Sequence, residues 1–136
     1  IAEEIIKKHS PNLYLIHPME VDRAGHRSGS CSDEYRRSVR KEDLLITDFL
    51  ASIESGKSLV IVTSDHGHTK KGGHGGNSPS EIEVPIVMIG GVVDGGIYGG
   101  VFSHEDIAHI VGCIIDRPIK SGKRYLMGGY NRLSKY

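Results

Sequence analysis

The sequence has 136 residues, a length that predicts one domain over residues 1–136. Its 17 basic and 17 acidic residues balance, so no global charge favours nucleic acid or an anionic membrane surface as a partner. The apolar runs are all shorter than about 18 residues, so no transmembrane segment is expected. The first residues are charged and amphipathic, which is not typical of a signal peptide.

Helical and strand patterns alternate along the first half of the chain. Residues 2–9 predict a short helix, and the apolar run 13–16 predicts a strand. Glycines and serines in residues 19–32 predict a loop after that strand. Ser32 or Asp33 can cap a long helix to about residue 55. The predicted buried stripe of this helix consists of Tyr35, Val39, Ile46, Leu50 and Ile53.

Two further strands and one helix follow. Residues 59–62 form a β-branched run, which is typical of a strand buried on both faces of a parallel sheet. Residues 83–89 predict a third strand. Ser103 and Asp106 form a capping box for a last helix. The tail over residues 121–136 is polar and carries no predicted element, so it could be flexible.

This alternation predicts an α/β fold with a mostly parallel sheet flanked by helices, because parallel neighbours need crossover connections. Ligands of open α/β sheets bind beyond the carboxyl ends of the strands. The predicted loop 19–32 and the loop 63–76 both follow strands, so they could converge at one edge of the sheet.

The two cysteines carry little functional information. Cys31 and Cys113 are far apart and lack the spacing of metal ligands, so they indicate neither a disulfide nor a redox compartment. Cys113 falls within an apolar helical pattern, which predicts a buried and inert thiol.

The loop over residues 63–76 contains three of the eight histidines, one aspartate and five glycines. Such a loop has little apolar surface to bury, and its glycines make ordering the backbone costly. A bound divalent metal would order it, because carboxylates and imidazoles are ligands that zinc and its neighbours accept. The alternative is a flexible, solvated loop whose histidines have no shared role.

The candidate metal ligands come from both loops and are Asp22, His26, Asp65, His66 and His74. Two carboxylates and three imidazoles exceed what one four-coordinate zinc needs, which indicates two metal ions. Two ions about 4 Å apart can clamp the attacking and leaving oxygens of a displacement at phosphorus. Three histidines favour zinc over magnesium, while manganese and magnesium both stay open as alternatives.

Two other histidines lie near these motifs. His68 forms a His-x-His pair with His66, which leaves a role in metal binding open, but we interpret it as a histidine that faces solvent or orients a ligand. His17 is interpreted as structural.

The order of these motifs resembles the later metal-binding motifs of the alkaline phosphatase superfamily. The motifs are Asp22-x-x-Gly25-His26, then Ser64-Asp65-His66-Gly67, then His74-Gly75. They are most similar to the branch of type I phosphodiesterases and GPI ethanolamine phosphate transferases. The chain resembles the C-terminal part of the catalytic domain in that branch.

The resemblance implies ligands for two metals: Asp22, His26 and His74 for one, and Asp65 and His66 for its neighbour. In the family the second metal also binds an earlier aspartate and a Thr or Ser nucleophile, both from a preceding segment. Residues 1–21 contain nothing similar to that nucleophile motif. We therefore expect no catalytic nucleophile in this chain and no phosphotransfer activity from the chain alone.

The resemblance also implies a substrate and a location. The substrate would be a phosphate ester or a lipid headgroup, with ethanolamine phosphate transfer to a GPI glycolipid as the specific expectation. The location would be extracytoplasmic or the lumen of the endoplasmic reticulum. Partners would include the N-terminal half of the domain, and an exposed sheet edge leaves self-association open. The alternatives are a non-catalytic metal-binding or interaction module and an α/β domain without metal.

Overall fold

The computed structural model describes residues 2–53, 58–90, 95–97 and 99–115. The chain divides into two compact units, Ile1–Val93 and Asp94–Tyr136. The elements of the first unit are α1 (Ala2–His9), α2 (Glu20–Ser28), α3 (Asp33–Ala51), β1 (Val60–Thr63), α4 (Pro79–Ile82) and β2 (Ile86–Ile89). The second unit contains α5 (His104–Ile114). Within the described ranges, no helix combines the length and the hydropathy that crossing a membrane requires.

β1 and β2 form a two-stranded antiparallel sheet, in which Val60 lies opposite Ile89 and Thr63 lies opposite Ile86. The mostly parallel sheet is therefore not seen among the described strands. The connection over residues 64–85 is long enough for a crossover, so its length does not decide the direction of the second strand. A short β-branched run predicts a strand but does not fix the direction of its neighbour.

The predicted strand over residues 13–16 is wrong. No strand is assigned there, and the side chain of Leu15 is 94% exposed. A strand is stabilised by a hydrogen-bonded neighbour, and the described sheet contains only β1 and β2. The apolar run therefore lies in an irregular segment before α2.

The loop predicted over residues 19–32 is also largely wrong, because it contains the helix α2. Acidic residues lie in the first turn of α2 and basic residues in its last turn, which complements the helix dipole. Gly29 ends the helix with a φ of 77° and donates its N–H to the carbonyl of Gly25. Of the glycines that suggested a loop, Gly25 lies inside the helix and Gly29 ends it.

The long helix is confirmed as α3. The hydroxyl of Ser32 accepts a hydrogen bond from the Tyr35 N–H at 3.1 Å, as expected of an N-cap. α3 packs against α2, and Ser38 and Ala24 are buried. Val39, which we predicted to lie in a buried stripe, is exposed. The helix ends at Ala51 with Ser52 as its C-cap, so the predicted end near residue 55 is wrong by about four residues.

The capping box of α5 is confirmed. The Ser103 N–H donates to Asp106 Oδ2 at 2.8 Å, and the Ser103 hydroxyl accepts from the Glu105 N–H at 3.3 Å. Ile110 is buried, but Cys113 is exposed, so the prediction of a buried thiol is wrong. Cys113 lies three residues after Ile110 in α5, and its side chain is exposed to solvent. The tail 121–136 lies outside the described residues.

Candidate metal centre

α2 contributes the first two polar side chains of the site. Asp22 and His26 are four residues apart, so they lie on the same face of the helix. His26 Nε2 lies 3.5 Å from Asp22 Oδ1. The helix that was predicted as a loop therefore orients two of the predicted ligands toward one point.

The loop between β1 and α4 contributes three histidines, His66, His68 and His74. A turn within this loop contacts the end of α2, because the Ser30 N–H donates to the carbonyl of Thr69 at 3.1 Å. The turn is closed by the Thr69 hydroxyl, which donates to the Gly72 carbonyl at 2.7 Å. These bonds fix the glycine-rich loop against the helix that carries Asp22.

α4 holds both ends of the same loop. The Gly67 N–H donates to the backbone carbonyl of Glu81 at 2.8 Å, and the Gly76 N–H donates to Glu81 Oε1 at 2.9 Å. The Ser78 hydroxyl donates to the other carboxylate oxygen of Glu81. These hydrogen bonds, first that of Ser78 and then that of Gly76, lower the pKa of Glu81 below its usual value. Sequence analysis did not predict this role for Glu81.

Four imidazole nitrogens surround one oxygen of Asp22. The Nε2 atoms lie at these distances from Asp22 Oδ1: His68 at 3.3 Å, His26 at 3.5 Å, His66 at 3.8 Å and His74 at 3.9 Å. Zinc bonds of about 2.0–2.2 Å at tetrahedral angles place ligand atoms roughly 3.3–3.6 Å apart. The distances from Asp22 Oδ1 to the four nitrogens are therefore close to those that a shared ion would impose.

Two polar atoms at the centre of this cluster are buried without a hydrogen bond, namely Asp22 Oδ1 and His68 Nε2. Burying a polar atom without a partner costs free energy, and native proteins rarely leave such atoms unsatisfied. One ligand atom from each of four residues lies within 4.8 Å of all the others, and these residues are Asp22, His26, His68 and His74. Three imidazoles and one carboxylate form a donor set that fits zinc.

His68 is the most buried member of the set. Its side chain is 3% exposed, and burial lowers its pKa, while the Asp22 carboxylate opposes that shift. The ring of Tyr35 lies at 5.9 Å from the ring of His68 in an edge arrangement. Burial, and then the charge of Asp22, raise the pKa of Tyr35. Burial of His68 therefore favours the neutral imidazole, which is the form that binds a metal.

Asp65 and His66 form a more exposed group beside this set. His66 Nδ1 lies 3.1 Å from the Gly67 carbonyl, which can only accept a hydrogen bond, so Nδ1 is the donor there and Nε2 lies on the side of Asp22. That Nε2 lies 3.7 Å from Asp65 Oδ2, and the His66 ring stacks on His74 with the centroids 3.6 Å apart. His17 Nε2 reaches within 3.8 Å of the same Asp65 oxygen.

The structure brings all five predicted ligands into this region, with three of them in the close set of four. Asp65 and His66 lie next to that set. Sequence analysis did not place His17 or His68 in the site, and the interpretation of His68 as facing solvent is wrong because its side chain is 3% exposed. The signal for His68 was its His-x-His spacing with His66, whereas the irregular segment around His17 carries no pattern that indicates its approach to Asp65.

A sequence model of one family, described as type I phosphodiesterase / nucleotide pyrophosphatase, matches residues 2–74. The match covers more than half of the 136 residues and includes both groups of predicted ligands. The chain belongs to this family. The resemblance to the alkaline phosphatase superfamily, and to its phosphodiesterase and GPI ethanolamine phosphate transferase branch, is thereby confirmed.

Individual relatives agree with that assignment. GPI ethanolamine phosphate transferase 1 of Homo sapiens is 31% identical over 83 residues, which is 57% of this chain and 9% of that protein. The Aspergillus oryzae protein of the same name is 29% identical over 101 residues, covering 69% of this chain and 10% of its own length. The catalytic subunit of human GPI ethanolamine phosphate transferase 2 is 24% identical over 93 residues, covering 64% of this chain and 10% of its own length.

The chain thus spans about a tenth of the length of the curated relatives it matches. No solved structure gave a significant match.

Proposed function

We propose that this chain is the metal-binding portion of a two-metal phosphotransferase or phosphodiesterase that acts on phosphate esters. Membership of the phosphodiesterase family supports phosphoester chemistry. The observation that carries the proposal is the convergence of imidazole Nε2 atoms on a buried, unpaired oxygen of Asp22. A solvated loop without a shared role would not bury that oxygen unpaired.

The proposed ligands follow from the two neighbouring groups: Asp22, His26 and His74 for one ion, and Asp65 and His66 for the other. When bound, such ions stabilise charge on the attacking and leaving oxygens at phosphorus. Zinc fits the imidazole-rich donor set best. The residues of this chain hold and orient the ions, with α2 on one side and the glycine-rich loop on the other.

The nucleophile is proposed to come from another segment of a longer protein. The family resemblance implies a Thr or Ser nucleophile before the first motif, and residues 1–21 carry no such motif. We therefore infer that this chain alone is inactive, because the covalent step has no attacking group.

Exposed apolar residues support the view that this chain packs against further structure. Leu15 is 94% exposed and Leu44 of α3 is 65% exposed, although leucine is a typical core residue. We infer that further strands and helices of one larger α/β domain cover them, including the parallel strands that the described residues lack. Self-association through the same surface stays open for the isolated chain.

The proposed substrate is a phosphate ester carried on a lipid headgroup. Several relatives are named GPI ethanolamine phosphate transferases, so we propose ethanolamine phosphate transfer to a GPI glycolipid. Such a reaction would belong in the lumen of the endoplasmic reticulum or another extracytoplasmic compartment. Seventeen basic and seventeen acidic residues give no reason to propose nucleic acid as a partner.

The test is a turnover assay on a chromogenic phosphodiester. The zinc-loaded chain alone is expected to give none, whereas a fusion to the preceding catalytic segment of a GPI ethanolamine phosphate transferase is expected to turn over substrate. Chelation and the double substitution His26→Ala/His74→Ala should each abolish that turnover, while His9→Gln on the exposed end of α1 serves as the control. Equal turnover by the fusion and its double variant contradicts the proposal. A folded, zinc-loaded fusion without turnover favours the non-catalytic module.

A further inference from the structure

Two adjacent lysines, Lys70 and Lys71, lie in the turn of the glycine-rich loop. Both side chains are exposed, and neither forms an ion pair or a hydrogen bond with another residue that the structure describes. The chain has no net charge, so this pair is a local feature rather than part of an overall basic charge. The proposed function assigns no role to it.

The backbone of this turn, residues 69–72, is fixed to the end of α2. The N–H and the hydroxyl of Ser30 both donate to the Thr69 carbonyl at 3.1 Å. A Cβ on Gly29 would lie 2.1 Å from the carbonyl oxygen of Lys70, so only glycine permits this close approach. The backbone that carries the two lysines is therefore held in place, which lowers the ordering cost of binding a ligand.

The turn borders the candidate metal centre. The two lysines lie between His68 and His74 in the chain. A Cβ on Gly72 would lie 3.1 Å from the carbonyl oxygen of His26, so the turn also packs against the part of α2 that carries this proposed ligand. A substrate whose reacting phosphate lies on the ions can therefore extend toward the two lysines.

The acidic residues at the start of α3 do not neutralise the lysines, because arginines already pair with them. Arg36 Nη1 lies 3.0 Å from Asp33 Oδ1, and Arg27 Nε donates to Glu34 Oε1 at 2.9 Å. The hydrogen bond from Ser28, and then that from Arg27, lower the pKa of Glu34 below its usual value. The positive charge of the turn thus stays available to an anionic ligand.

We propose that Lys70 and Lys71 bind a second phosphate of the substrate, one that does not react. The inference rests on the proposed function, because the reacting phosphate is taken to lie on the metal ions. An ammonium group binds phosphate as a point charge, and a phosphate monoester carries about two negative charges at neutral pH. The two adjacent lysines match that charge. The substrate class is therefore a phosphodiester that carries a further phosphate group.

Isothermal titration calorimetry on the zinc-loaded chain tests this with two kinds of ligand, propyl phosphate and the bisphosphates of linear diols of increasing length. At one length or more, the bisphosphate should bind roughly five- to twentyfold more tightly than propyl phosphate, against the factor of about two that its two equivalent ends alone would give. In Lys70→Gln/Lys71→Gln the gain should fall to that statistical factor. The matched control is Lys7→Gln/Lys8→Gln, which removes two adjacent exposed lysines of α1 and should keep the gain.

The gain should also shrink as sodium chloride is added, because salt screens contacts between exposed charges. A wild-type gain no larger than the statistical factor, or a gain that survives Lys70→Gln/Lys71→Gln, overturns the inference and leaves the proposed function intact. A chain that binds zinc but no phosphate ester lacks the contact on which both rest, and overturns both.

A membrane surface is the other anionic partner that the lysine pair could contact. Sedimentation with phosphatidylserine vesicles measures that contact directly. If the wild-type chain sediments with the vesicles, Lys70→Gln/Lys71→Gln does not, and no bisphosphate is preferred over propyl phosphate, the inference is overturned in favour of a membrane contact.

Discussion

Gly25 is the residue whose missing side chain shapes the candidate metal centre most directly. It lies inside α2, where glycine is about 1 kcal/mol less favourable than alanine. A larger residue would meet the His68 ring at 2.6 Å. Gly25 therefore weakens the helix locally and creates the space in which His68 approaches Asp22.

The Gly25→Ala substitution should separate these two effects. The helix gains propensity, but the His68 ring must move away from Asp22, so we expect zinc affinity to fall by about tenfold or more. Competition with a chelating dye measures the affinity, and circular dichroism measures the helix content. Gly95→Ala is the matched control, because a Cβ there meets nothing within 4 Å. Unchanged affinity with unchanged fold would contradict the assigned role of Gly25.

Residue types and spacing were sufficient to select five side chains that the structure brings into one region, because metal chemistry restricts which side chains can serve as ligands. They could not predict His68 as a member of the close set. Its role depends on the packing of a loop against α2 at Gly25, and sequence spacing does not determine such packing. The approach of His17 to Asp65 likewise depends on the path of an irregular segment.

Among the secondary-structure elements, α4 decides how the glycine-rich loop is held. Its Glu81 accepts hydrogen bonds from both ends of the loop, at Gly67 through the backbone and at Gly76 through the carboxylate. α4 has four residues, so its sequence carries no periodic signal that would predict it. Its serine and proline start, at Ser78 and Pro79, is a local indication of a helix, and so is the spacing of Ser78 and Glu81.

Replacing Glu81 by Gln should destabilise the chain in a pH-dependent way. The folded-state pKa of Glu81 is lowered from 4.5, so its carboxylate stabilises the fold at pH values above about 4.5. That contribution is lost as pH falls through the lower folded-state value. In urea unfolding of the chelated chain, Glu81→Gln should unfold at lower urea than wild type near pH 7, and the difference should shrink below pH 4.5.

Glu83→Gln supplies the control for this comparison, because Glu83 lies two residues further along the chain and is exposed. A difference between wild type and Glu81→Gln that does not change with pH would contradict the role of the carboxylate charge. Such a result would leave only a steric effect of the substitution.

Most of the helices and both strands of the described sheet were predicted from the sequence. α1, α3, α5 and both strands were predicted, because periodic apolar residues and caps such as Ser32 and Ser103 act locally. α2 was missed because glycine and serine lower helix propensity, and contacts with α3 and the glycine-rich loop override that preference. The direction of β2 relative to β1 depends on long-range pairing that short apolar runs do not encode.

At the scale of the whole molecule, the chain combines an ordered polar site with little buried apolar surface. Among the described residues, Ala24 and Ile110 are the buried hydrophobic residues. Leu15 and Leu44 are largely exposed. The polar site is therefore expected to depend on metal binding for its order, because packing of apolar side chains contributes little there.

The central claim is that the cluster around Asp22 binds a metal ion, and elemental analysis tests it most directly. The chain purified without chelators should retain about one tightly held equivalent of zinc after dialysis. The His26→Ala/His74→Ala variant should lose it, while His9→Gln should keep it. Zinc content that is the same in wild type and the double variant, or absent from a folded wild-type chain supplied with zinc, would contradict the account.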